Sequence, residues 1–283
     1  YRQSVLPNEG VQQLTGLGDA VSVRRNALGM PLIESHNFHD GLFAMGYVHA
    51  ADRLSQMVTL RLLAQGRLAE MMGPEALGSD RFMRALNLKA EAHQLWQSAS
   101  PRSQSFFEVY ARGVNAYIYR YRNNLPMDLA NAGVKLEYWS AEDSVLIFCL
   151  LNFGLSVNLQ EELAALQLAE AVGADQLAWL LPTYPGEPLP VGETEKLKGI
   201  QLSALKADVA ELSGALAKVA ERAPVGVAAS NSWAVMGSKT QSTLPLLAND
   251  MHLRMSLPSL WTFMHLRSPR YQAAGVSIAG VPS

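Results

Sequence analysis

The sequence predicts an α+β protein, helical through its middle and β-rich at its end. Three observations carry that expectation. Short β-branched or apolar runs broken by turn residues fill the first forty positions. Leu, Ala, Glu, Gln and Arg then recur with helical periodicity as far as Val172. From Ser230 onward the pattern is one of short alternating strands.

The opening strands are V-S-V-R-R-N and M-P-L-I-E-S, separated by the turn-like A-L-G. Asp40 stands where an N-cap would open a long helix through H-A-A-D-R-L-S-Q-M-V-T-L-R-L-L-A-Q-G. Further helices are expected to break at Gly73-Pro74, at Ser100-Pro101 and between Asn123 and Pro126. The apolar run Val145 to Leu155 reads as a core segment. It is shorter than the ~18–20 residues that a membrane-spanning helix needs. From Leu181 to Pro190 the prolines of L-P-T-Y-P-G-E-P-L-P impose an extended connector. Leu205, Val209, Leu212, Leu216 and Val219 then mark one apolar helix face. Arg222 to Ala229 is small, Gly- and Pro-containing and open to proteases. Strands follow at N-S-W-A-V-M-G, T-L-P-L-L-A-N-D, L-W-T-F-M-H-L-R and Y-Q-A-A-G-V-S-I-A-G, with Gly237 to Thr243 as the first turn.

Composition narrows the function class. With 49% hydrophobic and 17% charged residues among 283, the chain can bury a substantial core, as soluble enzymes do. A formal charge of −2 offers nothing to nucleic acid or to an anionic membrane, so neither is expected as a partner. Cys149 is the lone cysteine, which excludes an intrachain disulfide and leaves the redox compartment open. Tyr1 opens in Y-R-Q-S-V-L-P, so any secretory leader is expected to have been removed. The chain stops in a strand-like pattern at G-V-S-I-A-G-V-P-S, as a fragment ending early in a β-rich region would.

Most familiar catalytic signatures are missing. G-V-S-I-A-G has alanine where a nucleophile elbow needs its second glycine, and neither H-E-x-x-H nor a Walker loop occurs. Ser203 to Lys206 spells S-x-x-K by chance, within the connector region. His36 and His39 lack a third metal ligand and are expected to cap or lie on the surface. His49 fits the packing pattern of the long helix and is expected to be structural.

Ser230 remains. In A-P-V-G-V-A-A-S-N-S-W-A-V-M-G it sits between a loose peptide and a strand, which in the plain reading is a loop boundary. Scission between Ala229 and Ser230 would instead give one residue both a hydroxyl and an α-amine. The reference pKa of such an amine is about 7.7–8.0, close to what a general base needs at neutral pH. A hydroxyl activated by its own terminal amine requires no separate histidine–carboxylate pair.

Two separate stretches carry a family resemblance. S-N-S-W-A-V followed by L-L-A-N-D-M-H-L resembles the start of the β-chain in penicillin acylase-type N-terminal nucleophile hydrolases. V-S-V-R-R-N-A-L-G-M-P-L-I, H-D-G-L-F-A-M-G-Y-V-H-A-A-D-R-L-S-Q-M and A-Q-G-R-L-A-E-M-M-G resemble the opening of that family's α-chain.

The resemblance implies an αββα sandwich with a largely helical α-chain region over residues 1–200. A spacer at 201–229 would be removed, and a β-chain would begin at 230. It implies self-cleavage at Ala229–Ser230, then amide hydrolysis by Ser230. His252 would orient the amine, at a position that is glutamine in penicillin G acylases. Leu253, and more loosely Asn152 and Ser156, would line the acyl pocket. No cofactor is required, although Glu162 falls where penicillin acylases place a calcium-binding glutamate. The oxyanion donors lie past Ser283, so these 283 residues alone are expected not to turn over an amide. The partners implied are a small amide substrate with an acyl chain and an α/β heterodimer cut from one precursor, in the periplasm. The overall look leans towards acylases of N-acyl-homoserine lactones. Penicillin or cephalosporin acylases come next, followed by a non-catalytic relative that stays uncut.

Overall fold

A computed structural model of the chain describes residues 9–156, 158–172, 202–222, 229–253 and 255–282. The extended connector expected at Leu181 to Pro190 and most of the loose peptide before Ser230 lie outside the described residues. The chain divides into two compact units: Tyr1–Phe153 with Met255–Ser283, and Gly154–Arg254.

In the first unit the two opening strands form as expected, β1 at Ser22–Arg25 and β2 at Pro31–Glu34. Helix α1 follows at Phe38–Ala64. Then come α2 (Ala69–Met72), α3 (Leu77–Leu86), α4 (Leu88–Ser98), α5 (Pro101–Tyr121), α6 (Met127–Ala132) and α7 (Ala141–Leu155). The helix breaks fall where proline and glycine demand them. Ser100 caps α5, its side chain accepting the Ser103 N–H, and Pro101 occupies the first helical position, where a missing N–H does no harm.

The start of α1 differs from the expectation. Asn37 is the N-cap, and its side chain accepts the Asp40 N–H at 2.9 Å. Asp40 lies three residues further on, and its carboxylate accepts from the Asn37 side-chain amide at 2.6 Å, so the two side chains brace each other. The same carboxylate accepts the backbone N–H groups of Gly18 and Asp19, both at 2.9 Å, and so pins the N-terminal segment across the helix start. Those bonds hold the Asp40 carboxyl below the usual carboxylate range against the opposing effect of its burial.

Two strands from the far end of the chain complete the sheet, β5 (Trp261–Ser268) and β6 (Tyr271–Ile278). The order is β1-β2-β5-β6. β2 and β5 run parallel, pairing Leu32 with His265 and Glu34 with Arg267, and the other neighbours are antiparallel. The core lies between this sheet and α1, α5 and α7, with Ile33, Phe43, Met57, Tyr110, Val114 and Ile147 essentially inaccessible.

Arg61 is buried there with its charge intact. Its guanidinium donates to the Tyr138 carbonyl at 3.1 Å and to Asp143 at 3.4 Å, and lies 5.1 Å over the Trp139 ring. Asp143 also closes a capping box with Ser140 at the start of α7, which fixes the anion as well.

His49 is structural, as expected. It is fully buried, with Nδ1 2.7 Å from the Tyr110 hydroxyl and Nε2 2.9 Å from Ser277 Oγ. Burial, with the nearby Arg53 charge, pushes its pKa down to about 3 from 6.5. The folded value is the depressed one, so this group's contribution to stability is complete above pH ~6.5. It is lost as pH falls from there towards 3, at roughly 1 kcal/mol per pH unit. The urea midpoint should therefore begin to fall already between pH 6.5 and 5, before carboxylates such as Asp40 titrate. A His49→Leu protein should show no loss in that window.

The second unit contains α8 (Asn158–Val172), α9 (Leu202–Arg222) and the strands β3 (Ala229–Val235) and β4 (Leu246–His252). Helix α9 packs on α8 through part of the apolar face read from the sequence, with Leu212 exposed. Val209 and Leu216 are buried, and Gln167 of α8 donates to Ser213 at 3.4 Å. Ser203 and Lys206 fall in its first turns. Among the described residues, no helix is long and apolar enough to cross a membrane.

Candidate functional site

The site expected around Ser230 is a β-hairpin. β3 and β4 pair antiparallel over seven positions, from Ala229 opposite His252 to Val235 opposite Leu246. A short 3₁₀ turn at Gly237–Lys239 opens the connection, and Thr240 closes it by donating to the Leu244 carbonyl at 2.7 Å. Gly237 is required there, since a Cβ would lie 2.2 Å from the Thr243 carbonyl oxygen.

Register decides which groups share a face. Directly opposed residues of an antiparallel pair point to the same side, and their neighbours point to the other. Ser230 opposes Met251 and Ser232 opposes Asn249, so these four form one face. On it, the Ser232 hydroxyl donates to Asn249 Oδ1 at 2.8 Å. Ala229, Asn231, Asp250 and His252 form the other face.

His252 is therefore not on the side of the Ser230 hydroxyl. Its partner in the register is Ala229, the residue before Ser230.

A third group belongs to that face. Asp250 Oδ2 lies 2.5 Å from His252 Nε2, and this hydrogen bond draws the Asp250 carboxyl below the usual carboxylate range. A carboxylate on one ring nitrogen fixes the imidazole's orientation and tautomer. Sequence reasoning passed over Asp250. The signal was present in A-N-D-M-H, where two positions along a strand return to the same face.

The other expected residues are more scattered. Leu253 follows β4 directly and is half-buried. Asn152 is exposed on α7, donating to the Phe148 carbonyl at 2.9 Å, and belongs to the first unit. Ser156 lies between α7 and α8, and Glu162 lies on α8; both are exposed and belong to the same unit as Ser230.

Calcium takes six to eight oxygen ligands. Among the described residues no three His, Cys, Asp or Glu side chains converge to hold a metal ion. His36 and His39 do not make such a site, and His39 instead stacks edge-on to Phe38 and Phe106. A cavity of about 340 Å³ opens in the first unit beside Arg53, where α1 leaves helical geometry. Asp52, Ser55, Gln56 and Tyr117 line it, and no sequence-predicted site residue does.

The family model for penicillin amidase matches residues 20–283. An acyl-homoserine lactone acylase QuiP from Pseudomonas aeruginosa is 62% identical over 282 residues, covering 100% of this chain and 33% of its own length. The protein of the same name from Pseudomonas fluorescens strain Pf0-1 is 57% identical over 276 residues, 98% of this chain and 34% of its own length. The penicillin acylase 2 proenzyme of Pseudomonas sp. strain SE83 is 30% identical over 280 residues, 98% and 36% of the two lengths. The chain thus spans about a third of these relatives. Among solved structures, a thermostable penicillin G acylase from Alcaligenes faecalis is similar at 24% identity and a TM-score of 0.49, over 60% of this chain and 97% of that one.

Proposed function

Because this chain belongs to the penicillin amidase family, we propose that it is the opening part of an amidohydrolase whose nucleophile is Ser230. The favoured substrates are N-acyl-homoserine lactones. The observation that carries the substrate class is the 62% identity, over the whole chain, to a protein named for that activity, against 30% to one named for penicillin. The second reading, a β-lactam acylase, rests on that 30% relative.

In this reading the chain first acts on itself. Ser230 Oγ attacks the Ala229 carbonyl carbon and its acyl group moves from nitrogen to oxygen. That shift breaks the C–N bond and frees the Ser230 amine, and water then hydrolyses the ester to give the Ser230 hydroxyl and the Ala229 carboxylate. In turnover the amine takes the hydroxyl proton as Oγ adds to the substrate carbonyl, and the resulting ammonium protonates the departing homoserine lactone nitrogen. Water, deprotonated by the same amine, releases the fatty acid. The His252–Asp250 pair holds the amine in the position where it can perform both transfers.

Residues 201–229 would be lost as a spacer, and the two chains would stay together as a heterodimer in the periplasm. The proposed acyl pocket uses Leu253, with Asn152 and Ser156. Glu162 would contribute one oxygen to a structural calcium.

The substrate test is direct. The full-length, processed protein is assayed on acyl-lactones of increasing chain length and on penicillin G. Each CH₂ buried in an apolar pocket contributes roughly 0.8 kcal/mol, about fourfold in kcat/KM. The lactone rates should climb accordingly until the pocket is full and exceed the rate on penicillin G. A faster reaction with penicillin G would leave the β-lactam reading.

A further inference from the structure

The buried chain of hydrogen bonds through His49 joins parts of the sequence on opposite sides of Ser230. His49 (α1) and Tyr110 (α5) precede the serine, whereas Ser277 (β6), Thr262 (β5) and Gly280 follow it. All five belong to the first unit.

The direction of every bond follows from the two ends, the Gly280 N–H, which can only donate, and the Thr262 carbonyl, which can only accept and takes the one Ser277 proton. The Gly280 N–H gives its proton to the Tyr110 oxygen at 2.9 Å. The tyrosine hydroxyl proton is then directed to His49 Nδ1, so the imidazole carries its proton on Nε2. Nε2–H donates to Ser277 Oγ, and the serine proton goes to the Thr262 carbonyl at 3.2 Å. Each side chain is satisfied only while both segments are in place. Their exposures are 0% for Tyr110, 1% for His49 and 4% for Ser277, so water cannot replace a lost partner. Leaving a buried polar group unmatched is penalised by more than the bond itself contributes.

We propose that the Tyr110–His49–Ser277 relay is the specific lock that keeps the segment before Ser230 joined to the segment after it once the intervening chain is cut. Apolar anchors accompany it, since Leu260, Met264, Leu266, Ala279 and Val281 are all buried after the cut point. Apolar contact tolerates sliding, whereas the relay has one geometry, which sets the β5–β6 pair at one position against α1 and α5. The β2–β5 pairing agrees with that position, with the Ser35 N–H donating to the Arg267 carbonyl at 3.0 Å. The proposal rests on the cleavage reading of Ser230 for its biological setting, but the lock can be tested without it.

The test uses the full-length protein with Ser230→Ala and a site for an added protease placed between Arg222 and Ala229, so that the cut does not depend on Ser230. Release of the second chain is followed by native size exclusion against urea for four proteins: unaltered, Tyr110→Phe, Ser277→Ala and both. Each single change should weaken association by ~10-fold or more. The double change should be hardly worse than the worse single one, because either break empties the same relay. In a His49→Leu background the two changes should instead become additive. If that background does not fold, the four-protein cycle alone decides. Additive effects in the four-protein cycle, or single changes without effect, would overturn the lock. Denaturing mass of the full-length protein with Ser230 in place and no added protease site separately reports whether Ser230 cuts the chain, so the two ideas fail independently.

Discussion

Changing Ser230 to alanine in the full-length protein should leave one uncut chain and lower amide hydrolysis at least ~10³-fold, the scale on which loss of a catalytic nucleophile is felt. Both losses would have the same cause, since in the proposed reaction the oxygen that opens the Ala229 peptide bond is also the one that takes the acyl group. Ser232 is the control. It lies on the same hairpin face and its hydroxyl bonds Asn249, yet its backbone nitrogen stays inside the chain after scission. Ser232→Ala should be processed normally and remain within a few-fold of the parent rate. Denaturing electrophoresis and a single acyl-lactone assay read both variants. A Ser230→Cys protein should still be cut, because a thiol can perform the same acyl shift.

Gly113→Ala should be the most damaging small substitution in the core. Helices α1 and α5 cross with almost no space between their backbones. A Cβ on Gly113 would sit 1.9 Å from the Phe43 carbonyl oxygen, and one on Gly46 would sit 2.2 Å from that of Tyr110. Neither obstacle is a side chain that can rotate away, so the helices must separate. Tyr110 and His49, carried by those helices, would be displaced with them. Overpacking of this kind lies at or beyond the ~1–3 kcal/mol usual for inserted methyls, and we expect a fall in Tm of roughly 10 °C. In the uncut Ser230→Ala protein, which retains residues 201–229, Gly214→Ala gives the opposite sign. It lies on an exposed part of α9 with nothing within 4 Å of the added carbon, and alanine favours a helix by up to ~1 kcal/mol. Thermal unfolding of the two variants side by side, both in the uncut Ser230→Ala protein, measures both effects.

Local chemistry was legible in the sequence wherever it acts over a few residues. Proline and glycine marked the helix breaks, and apolar spacing marked α9. Alternation marked the strands after Ser230. The cap of α1 was misassigned to Asp40 because Asn37 and Asp40 are both good capping residues three positions apart, and sequence does not say which backbone N–H each will face. Asp250 was readable from the strand period alone.

Contacts between distant segments were not legible. The partner of His49 at Nε2 lies 228 residues away, and nothing in H-A-A-D-R-L announces a serine on β6. Nor does an apolar strand reveal that β2 pairs parallel with β5. Gly46 and Gly113 read only as small helix residues, since close approach belongs to two helices and not to either one. The face relation of Ser230 and His252 likewise needed the hairpin register.

The account turns on whether residue 230 becomes a chain terminus. Edman sequencing and intact mass of the full-length protein, purified under denaturing conditions, answer that directly. The account predicts a second chain that begins Ser-Asn-Ser-Trp, absent from the Ser230→Ala protein. A single unbroken chain that nevertheless hydrolyses acyl-lactones would contradict it.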